Sequence, residues 1–441
     1  MLSEQAAPAT EHTDREEIRN KRRAISVSAS VMILLLVVAT ALAPLVLVED
    51  TSRDFSYGTA CVAAATGEKP ESKLWWNDGL WWAVLFNSEA NAYHIYRLGT
   101  NDTWDDIGTA VDDRPGTKSD VLWDGSAGKL YVVSHVFEDT GKPMADSGQW
   151  ARLYRFSYSQ PARSYTLDRG FPVMVSQGVS ETMTLAKALS GKLWITYVEN
   201  ARVMINHSTD DDTRWGVPTV LPVSEQSTAL TTDDISSVIA FGDDSVGVMW
   251  SNQTTMKMHF AVHHERDADD VWGAEEVAYS ESADDHINLK ADGSGRVYAA
   301  VKTSFLKRNE PLVLLLVREQ GGEWSNYVFG KVGDHHTRPI VLLDETARRL
   351  YMFATSGGKN PSAEAGGSIY YKETSIDRIN FAPGLGDVFI ESPADPLINN
   401  ATSTKQNVQS RTGLVVLASD SSTRHYLHRA MKISHVSGPQ H

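Results

Sequence analysis

Acidic, imidazole and guanidinium side chains recur at one equivalent place in a repeated unit of this chain. Asp234 and Asp285 occupy this place in neighbouring units, His286 follows Asp285, and His336 lies two residues before Arg338. Two carboxylates from neighbouring units suit glycosidic hydrolysis, in which one is the general acid and the other the base or nucleophile. A histidine that removes a proton beside a carboxylate neutralised by Arg338 suits β-elimination from a uronate instead. The residues leave both reactions open.

A second set of polar residues is predicted to face the same place and to bind the substrate. Most of its members begin the first strand of a unit or end the second one: Lys118, Asp120, His135, Glu181, Asn252, Gln253, Lys302 and Lys405. Carboxylates and amides hydrogen-bond to hydroxyl groups, whereas lysine and arginine pair with anions. We therefore expect a polyhydroxylated and anionic ligand, which a carbohydrate fits best.

Metal binding is the weaker alternative for the histidines. His286, His335 and His336, together with neighbouring aspartates, carry nitrogen and oxygen atoms that suit a divalent metal. Adjacent residues on an extended chain point to opposite sides, so we expect at most one of His335 and His336 to face the centre. We expect no cofactor and no metal at the site. The sequence also contains no phosphate-binding P-loop and no H-E-x-x-H zinc motif.

Seven short apolar runs must position these residues. They recur between residues 71 and 441, and examples are the runs that begin at Leu80, Leu130, Leu193 and Val246. Seven repeated units of four strands each predict an all-β fold, namely a seven-bladed β-propeller over residues 71–441. A six-bladed propeller is the alternative. The last unit lacks a fourth run. We expect a strand from residues 53–66 to take its place and close the ring.

The third unit also contains the turn sequence Ser-Thr-Asp-Asp-Asp-Thr-Arg-Trp. It resembles the Asp-box turn of bacterial neuraminidase (sialidase) repeats, since Ser208, Asp210 and Trp215 match that motif. Asp212 replaces the glycine of the motif and Arg214 its threonine. The resemblance implies a propeller in which this turn is structural. Sialidases are six-bladed and hold the substrate carboxylate with three arginines, and that arginine triad has no counterpart that we can place in this sequence.

The N-terminal 70 residues predict a membrane anchor. Residues 1–23 are polar and of mixed charge, and we expect a disordered cytoplasmic tail there. Residues 24–48 are uncharged and long enough to span a bilayer as a helix. Basic residues precede this span and acidic residues follow it, so the propeller is expected outside the cytoplasm. A cleaved signal peptide ending at Ala43 is the alternative. Residues 49–70 are then a linker with the ring-closing strand.

The net charge and the cysteine content of the chain limit the kinds of ligand and covalent link that we expect. The chain has 41 Lys and Arg against 56 Asp and Glu, a formal net charge of −15, which argues against nucleic-acid binding. The single cysteine, Cys61, excludes an intrachain disulfide. We expect a single-pass membrane protein that presents a sialidase-like propeller to glycans and hydrolyses a glycosidic bond at the channel mouth. A uronate-polysaccharide lyase and a non-catalytic propeller that binds glycan or protein are the alternatives.

Overall fold

The computed structural model describes residues 50–61, 65–67, 69–139, 142–143, 151–224, 227–357 and 366–433. The predicted tail (1–23) and membrane span (24–48) lie outside these residues. Within them, no helix is both long and apolar enough to cross a bilayer. The chain enters the propeller through β1 (Ser52–Ser56) and then builds seven antiparallel sheets in sequence order, which are the blades. Seven blades are therefore present rather than six.

The first three blades follow β1 directly. Blade 1 contains β2 (Leu74–Asn77), β3 (Leu80–Asn87), β4 (Ala92–Leu98) and β5 (Trp104–Asp112). Blade 2 contains β6 (Thr117–Asp124), β7 (Lys129–Val136), β10 (Ala151–Ser159), β11 (Ser164–Leu167) and β12 (Val173–Ser176), and the short hairpin β8 (Glu138–Asp139) and β9 (Lys142–Pro143) lies between β7 and β10 in the chain. Blade 3 contains β13 (Met183–Lys187), β14 (Leu193–Glu199), β15 (Arg202–His207) and β16 (Thr219–Val220).

The last four blades complete the ring. Blade 4 contains β17 (Ser236–Phe241), β18 (Ser245–Asn252), β19 (Lys257–His264) and β20 (Glu276–Tyr279). Blade 5 contains β21 (Ile287–Ala291), β22 (Val297–Lys302), β23 (Pro311–Arg318) and β24 (Trp324–Lys331), and a 3₁₀ turn (Val332–Asp334) follows it. Blade 6 contains β25 (His336–Asp344), β26 (Arg349–Ser356), β27 (Ser368–Ser375) and β28 (Asp387–Ile390). Blade 7 contains β29 (Ile398–Thr402), β30 (Leu414–Asp420) and β31 (His425–Met431).

The N-terminal strand β1 is the fourth strand of blade 7. It pairs antiparallel with β31, with Ser52 opposite His428 and Ser56 opposite His425. On the inner side, the Leu74 amide of blade 1 donates at 3.2 Å to the carbonyl of Ser403, which directly follows β29 of blade 7. The two ends of the chain thus close the ring together, and the outer edge of β31 is covered by a paired strand.

The apolar core lies between blades. The second strand of each blade is apolar on both faces because each face packs on a neighbouring blade, and six consecutive residues of β3 from Trp81 to Phe86 are buried. Between blades 1 and 2, the Trp75 indole nitrogen donates to the Tyr165 hydroxyl at 2.7 Å, and Trp82 packs edge-on against the same ring. Blade-to-blade packing of this kind leaves the first strands, β2, β6, β13, β17, β21, β25 and β29, to surround a central channel.

A buried histidine holds the ring closure. The Nδ1 atom of His428 lies 2.8 Å from Asp54 Oδ2 on β1, and its Nε2 atom lies 3.0 Å from Asp102 Oδ1 in blade 1. Burial alone would lower the pKa of His428, but the hydrogen bonds and charges of the two carboxylates outweigh it and raise the pKa to about 9. The imidazolium therefore links three separate stretches of chain at neutral pH.

This pKa shift predicts a pH-dependent stability. Because the folded pKa lies above the unfolded value of about 6.5, the stabilisation is complete below pH 6.5 and is lost as the pH rises through 9. His428→Gln should lower the free energy of unfolding by about 3 kcal/mol at pH 6, and the deficit should shrink towards pH 9. Urea unfolding at both pH values checks this, with the more exposed His264→Gln as the control. A deficit that is equal at pH 6 and pH 9 would contradict the assignment.

Candidate functional site

One residue from the N-terminal segment fills the mouth of the channel, the face where the first strands begin. Lys69 reaches across it: its Nζ atom lies 2.5 Å from Glu181 Oε1 of the blade 3 side and also hydrogen-bonds to Asp285 Oδ2 of the blade 5 side. Only 3% of the Lys69 side chain is exposed. We call residues 69–72 the plug segment, and Lys69, Glu181, Asp284, Asp285, His286 and Lys302 the mouth cluster.

The backbone of Lys69 is in an unfavourable conformation. Its φ angle is +46°, in the left-handed region, which costs a non-glycine residue roughly 1–2 kcal/mol. A buried ammonium would also be costly without partners. The two charge-assisted hydrogen bonds to Glu181 and Asp285 offset both costs. Lys69 is thus held where it is by the carboxylates, and the carboxylates are neutralised by Lys69.

His286 forms the second half of the mouth cluster. Its Nδ1 atom lies 2.7 Å from both Asp284 Oδ1 and Asp285 Oδ1, and its Nε2 atom lies 3.2 Å from the Thr337 hydroxyl. Burial lowers the pKa of His286 to about 4 despite the nearby Asp284. The imidazole is therefore neutral at pH 7, with Nδ1–H donating to a carboxylate and Nε2 accepting from Thr337. Both ring nitrogens are engaged within the protein.

Asp284 is kept ionised. Burial would raise its pKa, but hydrogen bonds from His286 and from Lys302 outweigh it and hold the pKa of Asp284 below its usual range. The Lys302 ammonium lies 2.9 Å from Asp284 Oδ2. Lys69 and Lys302 therefore neutralise two of the three negative charges that Glu181, Asp284 and Asp285 bring to the mouth.

Two predicted residues of blade 4 have structural roles near this cluster. Asp234 is buried, and its carboxylate accepts backbone amide hydrogen bonds from Thr231 at 2.7 Å and from Gln253 at 3.0 Å. Burial raises the pKa of Asp234. Asn252 accepts from the Thr255 amide at 2.9 Å and so supports its own turn. Asp234 and Glu181 line one small cavity of about 40 Å³.

The structure does not bring His336 into the mouth cluster. Its ring packs on Phe329 and Tyr370, and its Nε2 atom lies 3.0 Å from the Leu385 carbonyl oxygen, among the outer strands of blades 5 and 6. The neighbouring His335 has a left-handed φ of +54°, which breaks the alternation of the strand just before β25. Arg338, also left-handed, is half-buried at an interruption of β25 beside Thr337.

The remaining predicted binding residues separate into two groups. Lys118 and His135 are buried in the wall of blade 2, where the Lys118 ammonium lies 3.5 Å from the Phe137 ring centroid and His135 Nε2 lies 2.6 Å from Glu71 Oε1. Asp120 and Lys405 lie deeper in the channel, with 2.5 Å between Lys405 Nζ and Asp120 Oδ2. Of the predicted set, only Glu181, Asp285, His286 and Lys302 meet in the mouth cluster.

Lys69 is the residue that sequence reasoning missed. It lies 112 residues from Glu181 and 216 from Asp285, inside a stretch assigned as linker, so no periodic pattern marks it. The mouth carboxylates offer oxygen atoms to a cation: Glu181, Asp233 and Asp285 contribute atoms within 4.8 Å of one another. The Lys69 ammonium already supplies a positive charge between two of them, so the geometry gives a metal no special role.

The turn that resembles an Asp-box is held by a different aspartate from the expected one. Asp211 accepts the Thr213 amide at 2.7 Å, whereas Asp210 forms an exposed ion pair with Arg214 at 2.8 Å. The Ser208 hydroxyl accepts the Leu193 amide at 3.0 Å. The turn is structural, as expected of such a loop, but it does not establish membership of the sialidase repeats.

No family profile matches the chain, and no curated protein matches it. Among solved structures it is similar to the periplasmic gluconolactonase PpgL of Pseudomonas aeruginosa (11% identity, 76% of this chain and 90% of that chain, TM-score 0.48). It is also similar to the polysaccharide lyase Uly1 (9%, 86% and 92%, 0.46) and to a Trypanosoma rangeli sialidase (10%, 87% and 59%, 0.44). All three TM-scores lie below 0.5, so the propeller assignment rests on the strand topology, and these similarities assign no activity.

Proposed function

We propose that this propeller hydrolyses glycosidic bonds at the channel mouth, with Glu181 and Asp285 as the carboxylate pair. The observation that carries the proposal is how close the two carboxylates are: a carboxylate oxygen of Glu181 lies within 4.8 Å of a carboxylate oxygen of Asp285. Carboxyl groups of retaining glycosidases are about 5–5.5 Å apart, and those of inverting enzymes about 6.5–9.5 Å. An upper limit of 4.8 Å lies below the inverting range, so we propose the retaining reaction, which passes through a glycosyl-enzyme.

The surroundings of each carboxylate suggest its role. Asp285 is oriented by the His286 ring at 2.7 Å, as a nucleophile must be. Glu181 has the more exposed side chain, 20% against 10% for Asp285, and can exchange its proton with water as a general acid and base must. A substrate hydroxyl that enters between the two carboxylates would donate to one of them in place of Lys69, and an anionic group of the substrate would accept from the released Lys69 ammonium.

Elimination is the less favoured reaction. A base that removes a proton from a uronate needs a free lone pair facing the substrate. The Nε2 lone pair of His286 accepts from Thr337, its Nδ1 atom faces two aspartates, and the ring is buried. The Nε2 atom of His336 lies 3.0 Å from the Leu385 carbonyl oxygen, and its ring packs on Phe329 and Tyr370. The carboxylates are better placed than either histidine.

A non-catalytic glycan-binding propeller is the second candidate. It is favoured by the closed ion pairs of Lys69, whose side chain is only 3% exposed. A protein that only binds glycans can use the residues at the rim of the mouth. A hydrolase requires Lys69 to move out from between Glu181 and Asp285 so that the substrate can reach them. The two candidates differ in turnover and not in ligand class.

Conservative substitutions test the hydrolase proposal. Glu181→Gln and Asp285→Asn should each lower turnover of a cleaved substrate by about a hundredfold or more. Asp210→Asn, at a side chain that is 73% exposed, should not. The assay screens aryl sialosides, neutral glycosides and uronides. Activated analogues of the same sugars that carry fluorine on the carbon next to the anomeric carbon should trap the glycosyl-enzyme, and mass spectrometry should then find the label on Asp285. Full turnover in both variants would refute the assignment, and glycan binding by the wild-type protein without cleavage would favour the second candidate.

We further propose that residues 24–48 anchor the protein in a membrane with the propeller outside the cytoplasm. The support is the uncharged span with basic residues before it and acidic residues after it. Protease added to intact cells or spheroplasts should then degrade residues 49–441 and spare the N-terminal tail. Complete protection of the propeller would reverse the orientation. A mature chain that begins near Pro44 would indicate a cleaved signal peptide instead.

A further inference from the structure

A second polar cavity, of about 220 Å³, lies inside the channel on the far side of the plug segment from the mouth cluster. Pro70 and Ser72 of the plug segment line one end of it, and Lys187, Ala240 and Ala291 line the other. A single water needs only about 10–15 Å³ of such volume, so the space accommodates a ligand of several non-hydrogen atoms. The plug segment separates this cavity from the proposed reaction centre.

The cavity is reached from the opposite face of the propeller. A wider cavity of about 450 Å³ on that face shares Leu122, Lys187 and Ala240 with it. The rest of the wider cavity is lined largely by the turns between the first and second strands of blades 2, 3 and 4. The two cavities together form a funnel that leads from the turn face to the plug segment.

Among the described residues that line the smaller cavity, the charged ones are all lysines: Lys187, Lys290 and Lys405. Lys290 on β21 is buried, and its ammonium donates to the Thr404 carbonyl at 2.6 Å but forms no ion pair with any described carboxylate. Lys405 faces the same cavity, and it forms an ion pair with Asp120, with 2.5 Å between Lys405 Nζ and Asp120 Oδ2. Lys187 is already balanced by Asp124 at 2.6 Å. One ammonium, that of Lys290, is therefore left without an opposite charge.

We propose that this cavity binds a small anion, a carboxylate or a phosphate group, between Lys290 and Lys405. An anion there would supply the missing negative charge and accept from an ammonium that now has one hydrogen-bond partner for three N–H groups. Ser237, Asn288 and Asn407 add polar groups to the cavity wall. These residues suit an anion whose remaining atoms are polar, such as hydroxyl groups, rather than aliphatic.

The protonation of Lys290 supports this assignment. Burial and the neighbouring Lys405 lower the pKa of Lys290 to about 7, and Asp120 opposes them only in part. An anion beside the ammonium favours its charged form. At pH 8 the binding of an anion should therefore draw a proton from the buffer, which a surface lysine with an ordinary pKa would not do.

Calorimetry on the solubilised full-length protein tests the proposal. Inorganic phosphate, D-glucuronate and neutral D-glucose are titrated at pH 8 in two buffers of different ionisation enthalpy. The wild type should bind at least one of the two anions with proton uptake, and glucose should not bind in this way. Lys290→Met should weaken the anion at least tenfold and abolish the proton uptake. Lys307→Met, at a lysine whose side chain is 87% exposed, is the control and should change neither quantity.

Stability separates a binding role from a structural one. Lys290→Met should melt at the same temperature as the wild type or higher without anion, because it removes a buried amino group that has no carboxylate partner. Lys405→Arg keeps the charge beside Asp120 and should also fold. Glu181→Gln, in the mouth cluster, should bind the anion normally whether or not the protein is a hydrolase. The proposal fails if neither anion binds the wild type, if Lys290→Met binds equally well, or if Lys290→Met melts many degrees lower.

Discussion

The ion pairs of Lys69 with Glu181 and Asp285 are the interactions on which the centre of this propeller depends. A ring of blades brings the first residues of its inner strands close together, and here several of those residues are acidic. Their mutual repulsion would open the mouth without a positive charge between them. The chain supplies that charge from the stretch that joins β1 to β2. Ring closure and neutralisation of the mouth are therefore two results of one N-terminal segment.

The channel is rich in negative charge at its mouth and in positive charge in its interior. Carboxylates gather at the mouth around Lys69, whereas Lys290 and Lys405 outnumber Asp120 in the interior. Both regions hold ionisable groups away from water, where each charge needs a partner. At the mouth the partner comes from the protein itself. The carboxylates remain in excess at the mouth, whereas the lysines are in excess in the interior, so the interior is the part of the channel that favours an anion.

The fold was predictable because each blade repeats a local pattern. The buried second strands, such as Leu80–Asn87 and Val297–Lys302, read as short apolar runs, and seven such runs predict the blade number. The missing last strand was also visible, since the apolar runs end at β31 and an unpaired edge needs a cover. Packing between neighbouring blades depends only on these repeated runs.

The site was predictable only in part, because its contacts are long-range or depend on irregular backbone. Glu181, Asp285 and His286 were found from their equivalent positions in the repeat. Lys69 was not, since a residue 216 positions from its partner leaves no local pattern. His336 was misplaced because the left-handed His335 interrupts the strand alternation on which the prediction relied. Lys290 lies two residues from Asn288 on a buried strand, and that alternation of polar residues was the signal overlooked.

The free energy of unfolding of Lys69→Met tests the central claim most directly. Removal of one partner from a buried ion pair leaves uncompensated charge, so this variant should lose about 3–5 kcal/mol relative to wild type. Adding Glu181→Gln and Asp285→Asn to Lys69→Met removes the uncompensated carboxylates and should restore most of that loss. Equal stability of wild type and Lys69→Met in urea unfolding would contradict the account, as would a triple variant no more stable than Lys69→Met alone.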